Sequence, residues 1–392
     1  MIHESPPDPN PSRLARDLRR LLAQYRWSRP LDYGLAAIQW VGDKVTPIDQ
    51  RVSWVPGATW KATRIARRFA PDVVLVSGPP FSPYLVGAFV SRLFGVPLIL
   101  DYRDPWMTSA LFRRSTGLRG RLDSWVERHV VRRAGGVTSA HRFILRQLRG
   151  LVADAQPGPR FFWVPNGYDP GDFPGGEPLP GEPFTVNYAG ALYGTRSPKV
   201  LLDAVRELVE EGQLDATAFR LRFAGHHAEA VAEMFGADSS LAKVVHIGRY
   251  LPHRESIRQL QESTVNLVIV GPRPGPTEWV PAKLYENLFA GRPLLLLSPE
   301  GVPTRLARRS GGCWIAHPED KAAIKLAVKT LYDAWTRGEL PHGPDRRRIA
   351  FFDRNHQARR LLRFLSSVAG ERKTARTTTP RRKSPTDRTD QG

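Results

Sequence analysis

The second half of the chain alternates short apolar runs with helical patterns, and this alternation limits its fold more than any other feature. Short apolar runs bounded by turn residues are typical of strands that are buried on both faces of a parallel sheet. Six such strands joined by helical crossovers predict a complete Rossmann-type domain. The predicted strands lie near 184–189, 219–224, 243–247, 265–270, 293–298 and 313–316, and the predicted helices near 198–211, 227–235, 253–262, 282–290, 302–309 and 319–336.

The first half of the chain shows a shorter form of the same alternation. Residues 72–77 and 97–101 are predicted to be buried parallel strands, and the helical segment 83–95 between them completes a βαβ unit. Prolines and glycines accumulate between residues 153 and 183, so the break between domains is predicted there. The other predicted elements of this half are a helix at 121–133 and strands at 136–139 and 161–164.

The chain has 392 residues, which is more than one hydrophobic core normally supports, so two domains are expected. We predict an α/β fold of two Rossmann-like domains that face a cleft. The first domain is expected to be incomplete, because only four strand candidates precede the break. The predicted divisions are a basic, partly helical segment 1–60, a first Rossmann-like domain 61–175, a second one 183–350, a C-terminal helix 351–370 that packs on either domain, and a disordered basic tail 371–392.

The formal net charge of +20 is concentrated partly at the two ends of the chain. Residues 371–392 place Lys and Arg among Thr, Ser and Pro without apolar anchors, which predicts disorder. In residues 13–29, leucines recur at helical spacing among six arginines. Such a helix fits contact with anionic lipid or the ordinary surface of an Arg-rich protein. Nucleic acid is a third possible partner, but no helix-turn-helix, zinc finger or RNA-binding aromatic motif accompanies the charge.

Several classes of protein are disfavoured by the sequence. No apolar run approaches the roughly 18 residues that span a bilayer, and the first residues lack the pattern of a signal peptide, so a cytoplasmic protein is expected. The single cysteine, Cys313, precedes an apolar strand pattern and is predicted to be a buried, inert thiol. The histidines have no metal-ligand spacing, so neither a metal nor a cofactor is predicted.

Two glutamates eight positions apart, Glu278 and Glu286, precede the predicted strand near 293–298. Ionised carboxylates accept hydrogen bonds, and acidic residues commonly hold the vicinal hydroxyls of ribose in this way. One carboxylate could therefore bind a sugar and the other a ribose. An isolated pair of this kind is more often two solvated glutamates beside a helix, so its context decides between the two interpretations.

A predicted helix start after Gly190 offers a second candidate site. Pro198 is placed in the first turn of that helix, and backbone amides at a helix start attract a diphosphate. Arg196 and Lys199 would supply matching positive charge. The alternative is that both are solvated cations of a basic protein.

Four ordered motifs resemble those of the family 4 glycosyltransferases. The Glu-x7-Glu motif of this chain contains Pro281 and Lys283 and is followed by Ala290-Gly291-Arg292-Pro293. The resemblance runs from about Pro71 to about Phe364 and implies the GT-B fold. The other three matching segments are Asp101-Tyr102-Arg103-Asp104-Pro105-Trp106, Val164-Pro165-Asn166-Gly167-Tyr168-Asp169 with Phe173 behind it, and Tyr188-Ala189-Gly190-Ala191-Leu192-Tyr193.

The resemblance implies a reaction and assigns roles to residues. A sugar would pass from a nucleotide-sugar substrate to a glycan or lipid-linked acceptor hydroxyl with retained configuration and without a metal. Glu286 would bind the ribose, Glu278 the transferring sugar, and Arg196 with Lys199 the diphosphate. Lys283 would be a further phosphate or sugar contact. Fixed positive groups would then stabilise the leaving diphosphate.

The resemblance also implies a sugar contact in the segment after the strand 97–101, where many members of the family have a histidine. The available groups here are Asp101, Arg103 and Asp104, and Asp104 is a candidate catalytic residue together with Glu278 and Arg196. Asp104 could equally initiate a turn with Pro105. Asn166 with Gly167 is a further cleft candidate, and the pair is predicted to be a tight turn with positive φ at the glycine.

One part of the family pattern has no counterpart in residues 1–60, namely the opening strand and its Gly-rich loop. Either the chain begins late or helices replace those strands. An enzyme that builds a cell-envelope glycan or glycolipid is the favoured function. The alternatives are an inactive relative that serves as a binding or scaffold protein, and a nucleic-acid-binding protein that acts through its tail.

Overall fold

The computed structural model describes residues 48–49, 51–107, 117–173, 182–192, 195–225, 228–236, 238–272 and 277–378. Their strands form two sheets, one of four strands and one of six, as the alternation of apolar and helical patterns predicts. Two compact units follow from the contacts within the chain. The first unit is Met1–Val137 with Leu151–Arg160, and the second is Thr138–Gly150 with Phe161–Gly392.

The four-stranded sheet contains β1 (Val74–Gly78), β2 (Leu98–Tyr102), β3 (Gly136–Ser139) and β4 (Arg160–Trp163), in this order across the sheet. β1 and β2 are parallel, with Val76 opposite Leu100. The helices of this half are α1 (Val55–Phe69), α2 (Pro83–Phe94), α3 (Gly117–Arg133) and α4 (Arg142–Leu151). α2 and α3 agree with the predicted segments, whereas α1 and α4 were not among them.

The ends of α2 show why this segment is helical. Proline in its first turn has a suitable φ and lacks the N–H that a helix start leaves unpaired, and Gly95 ends the helix with φ at 63°. Asp49 accepts hydrogen bonds from the backbone N–H groups of Phe81 and Ser82 at 2.7 and 2.6 Å, just before the helix. A carboxylate at this end also compensates the helix dipole.

The six-stranded sheet contains β5 (Phe184–Ala189), β6 (Phe219–Ala224), β7 (Val245–Gly248), β8 (Val265–Ile269), β9 (Leu294–Leu297) and β10 (Cys313–Ala316). All neighbouring strands are parallel, and their order is β10-β9-β8-β5-β6-β7. This is the strand order of a Rossmann fold. Every strand lies within two residues of its predicted bounds.

The helices that accompany this sheet are α5 (Lys199–Glu210), α6 (Ala230–Phe235), α7 (Ser239–Val244), α8 (His253–Glu262), α9 (Ala282–Phe289), α10 (Val302–Ser310), α11 (Lys321–Thr336) and α12 (Arg354–Thr378). A 3-10 helix, Arg346–Phe352, precedes α12. Among the helices α5 to α12, only α7 was not predicted from the sequence. Pro198 lies at the N-cap of α5, one position before the first turn in which the sequence placed it.

The hydrophobic core of the second unit lies on both faces of this sheet. All residues of β5, β8 and β9 are buried. In β9 the side chains alternate, so that Leu295 and Leu297 join one apolar cluster while Leu294 and Leu296 join another. Burial of both faces explains why these strands are continuous apolar runs in the sequence.

α12 packs on β4 through aromatic rings, because Phe364 stacks on Phe162 with a centroid separation of 4.8 Å. The helix continues beyond Gly370 to Thr378, through residues that include the helix formers Glu, Arg, Lys and Ala. Among the described helices, none is both long and apolar enough to cross a membrane. The predicted basic helix 13–29, the rest of the predicted tail (379–392) and most of segment 1–60 lie outside the described residues.

Candidate functional site

The candidate site begins where the strand order of the six-stranded sheet reverses. β5 and β8 are neighbours at this point, and the chain leads from β5 to β6 on one side and from β8 to β9 on the other. Ligands of doubly wound sheets bind outside the carboxyl ends of the strands at such a switch point. At these ends, Gly190 follows β5, and Val270 with Gly271 follows β8.

Glycines allow backbone segments to approach closely at this edge of the sheet. Gly225 has φ at 134°, and a Cβ atom there would lie 2.1 Å from the carbonyl oxygen of Gly190. A Cβ atom on Gly271 would lie 2.2 Å from Oγ1 of Thr195. The N–H of Gly190 donates to the carbonyl of Ala224 at 2.8 Å. The predicted site residue Gly190 is thus held at the end of β5, with no side chain to keep a ligand from its backbone.

Lys283 links the start of α9 to the same edge. Its Nζ donates a hydrogen bond to the carbonyl oxygen of Ala189 at 2.6 Å. Although the residue is largely exposed, protein atoms crowd its ammonium group, and this loss of hydration lowers the pKa of Lys283. The nearby Glu286 carboxylate raises the pKa of Lys283, and the positive charge of Arg196 lowers it further. The structure therefore brings Lys283, Glu286 and Arg196 into one electrostatic neighbourhood.

Glu286 lies one turn further along α9, and its side chain is 15% exposed. Burial raises the pKa of this carboxyl group, and the nearby charges of His253, Lys283 and Arg354 oppose the rise. Asp172 is also close and raises the pKa further. Nη2 of Arg354 is 3.9 Å from Oε1 of Glu286. The second glutamate of the motif is thus a half-buried acid that neighbouring cations stabilise in its ionised form.

Glu278 forms an ion pair with Arg146 of α4. The segment that carries it is fixed by the preceding residue, Thr277, which forms an isolated β-bridge with Gly301. The N–H of Thr277 donates to the carbonyl of Glu300 at 2.9 Å, and its carbonyl accepts from Val302. Glu278 therefore projects from a segment that is tied to the start of α10.

Trp279, the residue after Glu278, stacks on His141 with a centroid separation of 4.4 Å and an interplanar angle of 25°. His141 follows β3 and is buried. Both residues belong to the second unit. Aromatic faces are common surfaces for sugar rings and bases, because they combine apolar area with fixed orientation.

Arg196 and Lys199 have different surroundings. Arg196 is partly buried and acts on the charge of Lys283. Lys199 is exposed, and its Nζ pairs with Asp203 one turn later in α5 at 3.2 Å. An exposed pair of this kind contributes little to stability, so Lys199 can exchange partners at small cost. The diphosphate role remains a prediction for both residues.

The candidates near β2 belong to the first unit. The buried Asp101 carboxylate accepts hydrogen bonds from Oγ of Ser77 at 2.8 Å and from Nε of Arg103 at 2.9 Å. Burial raises the pKa of Asp104. Trp106 stacks on Phe81 with a centroid separation of 4.9 Å. Asp101 thus stabilises the end of β2 through its two hydrogen bonds. Asp104 is a weaker acid than an exposed aspartate, because burial disfavours its ionised form.

The sequence-based explanation of Gly167 was wrong. The residue does not have positive φ. Instead, a Cβ atom at this position would lie 1.9 Å from the carbonyl oxygen of Phe352. The next residue, Tyr168, donates its N–H to the same carbonyl at 3.2 Å. Gly167 is needed for close approach of two backbone segments, and Asn166 lies beside that contact, partly buried.

Sequence reasoning missed several residues of the site. Asp172 and His253 form a pair with a distance of 3.0 Å between Oδ2 and Nε2. Asp172 could have been found because it lies just before Phe173, which follows the motif at residues 164–169. Trp279 could have been found because it lies beside Glu278. His141, Arg146 and Arg354 have no local signal. Within the described residues, no group of three or more His, Cys, Asp or Glu side chains could hold a metal ion.

Comparisons with known proteins show which domain and which fold this chain resembles. Residues 4–167 match the model of a glycosyl transferase 4-like domain. The match starts closer to the beginning of the chain than the motifs, which begin near Pro71. No curated protein matches the chain.

Solved structures of GT-B glycosyltransferases share the fold. Sucrose-phosphate synthase from Thermosynechococcus elongatus is similar with a TM-score of 0.56 and 13% identity, over 82% of this chain and 79% of that one. Anabaena Alr3699/HepE in complex with UDP has a TM-score of 0.51 and 13% identity, over 81% of each chain. The lipopolysaccharide outer core galactosyltransferase WaaB has a TM-score of 0.50 and 13% identity, over 81% of this chain and 80% of that one. Residues 4–167 are thus similar to a glycosyl transferase 4-like domain, and the chain shares the fold of GT-B glycosyltransferases.

Proposed function

We propose that the protein transfers a sugar from a nucleoside diphosphate sugar to an acceptor hydroxyl with retained anomeric configuration. The observation that carries this proposal is the position of Lys283 and Glu286 at the switch point of the six-stranded sheet. One turn of α9 presents a cation bound to the end of β5 and a half-buried carboxylate. The cation suits the diphosphate of a nucleotide, and the carboxylate suits the hydroxyls of its ribose.

The roles follow from the chemistry of each group. The Glu286 carboxylate accepts hydrogen bonds from the ribose hydroxyls, and Glu278 does so from the transferring sugar. Lys283 and Arg196 face the diphosphate, with Lys199 as a further cation. As the glycosidic bond breaks, negative charge grows on the leaving diphosphate. Fixed cations stabilise that charge without reorganisation, which allows transfer without a metal.

The proposed acceptor is a glycan or lipid-linked sugar of the cell envelope. One support is the net charge of +20, which favours contact with an anionic membrane surface. The other is the fold shared with WaaB, which is named a lipopolysaccharide outer core galactosyltransferase. The proposed location is the cytoplasm, at the inner face of the plasma membrane. Flotation with anionic and with neutral vesicles tests this, and equal absence of binding to both at physiological salt would contradict it.

The donor site is tested by thermal unfolding with UDP, GDP, ADP, TDP and CMP. A ligand of the native state stabilises by about 2.7 kcal/mol at a hundredfold excess over its dissociation constant. We expect one nucleotide to raise Tm, and the rise to disappear in Glu286→Ala. The matched control is Glu210→Ala, which removes an exposed glutamate at the end of α5. No response to any nucleotide would favour the inactive scaffold instead.

Retention can be tested before the acceptor is known. Without an acceptor, water can take the place of the acceptor hydroxyl, and proton NMR shows which anomer of the free sugar appears first. The nucleotide sugar with the base selected above is the probe. We expect the first anomer to match the donor configuration, at a rate that EDTA does not change. Appearance of the opposite anomer, or loss of the reaction in EDTA, would contradict retention or metal independence respectively.

A further inference from the structure

Charged side chains from four separate elements meet beside Glu286. Asp172 ends the 3-10 helix Pro170–Asp172, His253 begins α8, Arg354 begins α12, and Lys283 lies on α9 with Glu286 itself. These four groups are the ones that act on the charge of Glu286. All of them belong to the second unit.

Arg354 stands between two carboxylates. Its Nη1 is 3.9 Å from Oδ2 of Asp172, and its Nη2 is 3.9 Å from Oε1 of Glu286. The same oxygen of Asp172 is 3.0 Å from Nε2 of His253. A guanidinium group is planar and carries its donors in a fixed fork, so it can face two carboxylates at once.

The backbone holds Arg354 in this position. Its N–H donates to the carbonyl of Tyr168 at 2.9 Å, and the residue before it, Asp353, forms an isolated β-bridge with Tyr168. Asp172 is held by the same segment, because Asp169 caps the 3-10 helix through a hydrogen bond from the N–H of Gly171 at 3.0 Å. The start of α12 and the carboxylate of Asp172 are thus fixed relative to each other.

The distances leave Glu286 free to bind a ligand. At 3.9 Å the guanidinium is too far for a hydrogen bond but close enough for a strong charge interaction. Among the residues that the structure describes, no side chain donates a hydrogen bond to the Glu286 carboxylate. A direct bidentate pair would occupy the oxygens that a vicinal diol needs. An arginine that lies at equal distance from Asp172 and Glu286 favours the ionised carboxylate and leaves those oxygens available.

We propose that Arg354 is a positioning residue of the donor site, held by its backbone between Asp172 and Glu286 so that it keeps Glu286 ionised and open to the two hydroxyls of ribose. This inference rests on the proposed function of Glu286. It adds the start of the last helix to the donor site, and it names ribonucleotides, as distinct from their 2′-deoxy counterparts, as the ligands whose binding depends on Arg354.

The test compares nucleotide affinity in variants of the full chain, with UDP, GDP, ADP and CMP and the 2′-deoxy counterpart of each as probes. In Arg354→Gln we expect affinity for the bound ribonucleotide to fall about tenfold, because Glu286 loses a neighbouring positive charge that favours its ionised form. Affinity for the 2′-deoxy counterpart, which has no vicinal diol, should change much less. Arg354→Lys should restore part of the ribonucleotide affinity.

The pH profile of affinity separates positioning from structural support. Ribonucleotide binding by the wild type should weaken as Glu286 gains a proton at low pH. Loss of the cation in Arg354→Gln should move this midpoint upward by about one pH unit, and loss of the neighbouring anion in Asp172→Asn should move it downward. A merely structural role would lower Tm in both variants and leave both midpoints in place.

The outcomes are distinguishable from those of the proposed function. If the wild type binds ribonucleotides in a Glu286-dependent way but Arg354→Gln binds them equally well, the inference about Arg354 is wrong and the donor site stands. Equal losses for ribonucleotides and 2′-deoxy counterparts would also overturn it. If the wild type binds no nucleotide, the donor site itself fails, and the inference fails with it.

Discussion

Nζ of Lys283 donates a hydrogen bond to the carbonyl oxygen of Ala189 at 2.6 Å, which ties the first turn of α9 to the last residue of β5. This contact joins a helix and a strand that are 94 positions apart in the sequence. It also fixes a positive charge at the switch point of the sheet.

Replacement of Lys283 by Met should therefore lower both stability and nucleotide affinity. The free energy of unfolding is expected to fall by about 1 kcal/mol, because a carbonyl at the strand end loses its donor. The matched control is Lys329→Met, which removes only an exposed pair with Asp333 within α11 and should cost less than about 0.5 kcal/mol. Urea unfolding of both variants measures the difference, and equal losses would contradict the role given to Lys283.

Gly225 and Gly212 give a matched pair for the close approach of β5 and β6. Both have positive φ, at 134° and 68°, but a Cβ atom on Gly212 would meet nothing within 4 Å. Gly212→Ala should thus cost only the backbone strain, about 1 kcal/mol. Gly225→Ala also forces a clash with the backbone of Gly190 and should cost about 3 kcal/mol or more. Similar midpoints in urea for the two variants would show that the strand ends can separate easily.

Glu127 of α3 predicts a pH dependence of stability in the first unit. Burial raises its pKa from 4.5 to about 8, the charge of Asp123 adds to the rise, and a hydrogen bond with Tyr102 opposes it. Asp123 itself faces Arg119 at 3.6 Å and accepts a hydrogen bond from the N–H of Ile48. Between about pH 4.5 and pH 8 the folded chain keeps a proton on Glu127 that the unfolded chain releases.

The stabilising effect of that proton is complete below pH 4.5 and is lost as the pH rises to about 8. One proton corresponds to a slope of at most about 1.4 kcal/mol per pH unit. Urea unfolding at pH 5, 6, 7 and 8 should show a steeper decline for the wild type than for Glu127→Gln. Glu233→Gln, at an exposed position of α6, should keep the wild-type slope. If the free energy of unfolding fell equally with pH in the wild type and in Glu127→Gln, Glu127 could not be buried in its neutral form.

Cys313 should be an unreactive thiol in the native protein. It is the only cysteine of the chain. Burial raises its pKa to about 12, and its Sγ donates to the carbonyl of Gly311 at 3.1 Å. Because the thiolate is the reactive form, labelling with a disulfide reagent at pH 8 should be at least about a hundredfold slower than in urea. Cys313→Ser gives the background, and rapid labelling of the native protein would contradict the burial.

The second sheet was predictable from sequence because its strands are buried on both faces. Continuous apolar runs such as Leu294–Leu297 cannot be mistaken for an exposed surface, and the helices between them carry a clear amphipathic period. α7 was missed because six residues are too few to display that period. α1 has Pro56 and Gly57 in its first turn. These residues resemble a turn in the sequence, although proline is favourable at the start of a helix.

Site residues that lie close together in the sequence could be predicted, whereas partners that are distant in the sequence could not. Glu278, Lys283 and Glu286 were found because they share one short motif. Arg146 is 132 positions from its partner Glu278, and His253 is 81 positions from Asp172. No spacing rule links residues so far apart, since the tertiary fold, and not the chain order, brings them together. The same reason explains Gly167, whose requirement comes from the distant Phe352.

The ion pair between Arg146 and Glu278 has a consequence for the exchange of modules between related enzymes. Residues 138–150 and 161–173 belong to the second unit, although the first domain was predicted to extend to residue 175. A chimera joined at residue 182 would take α9 from one parent and Arg146 and Asp172 from the other. Transplanting a donor specificity intact would require these two early segments to move together with the six-stranded sheet.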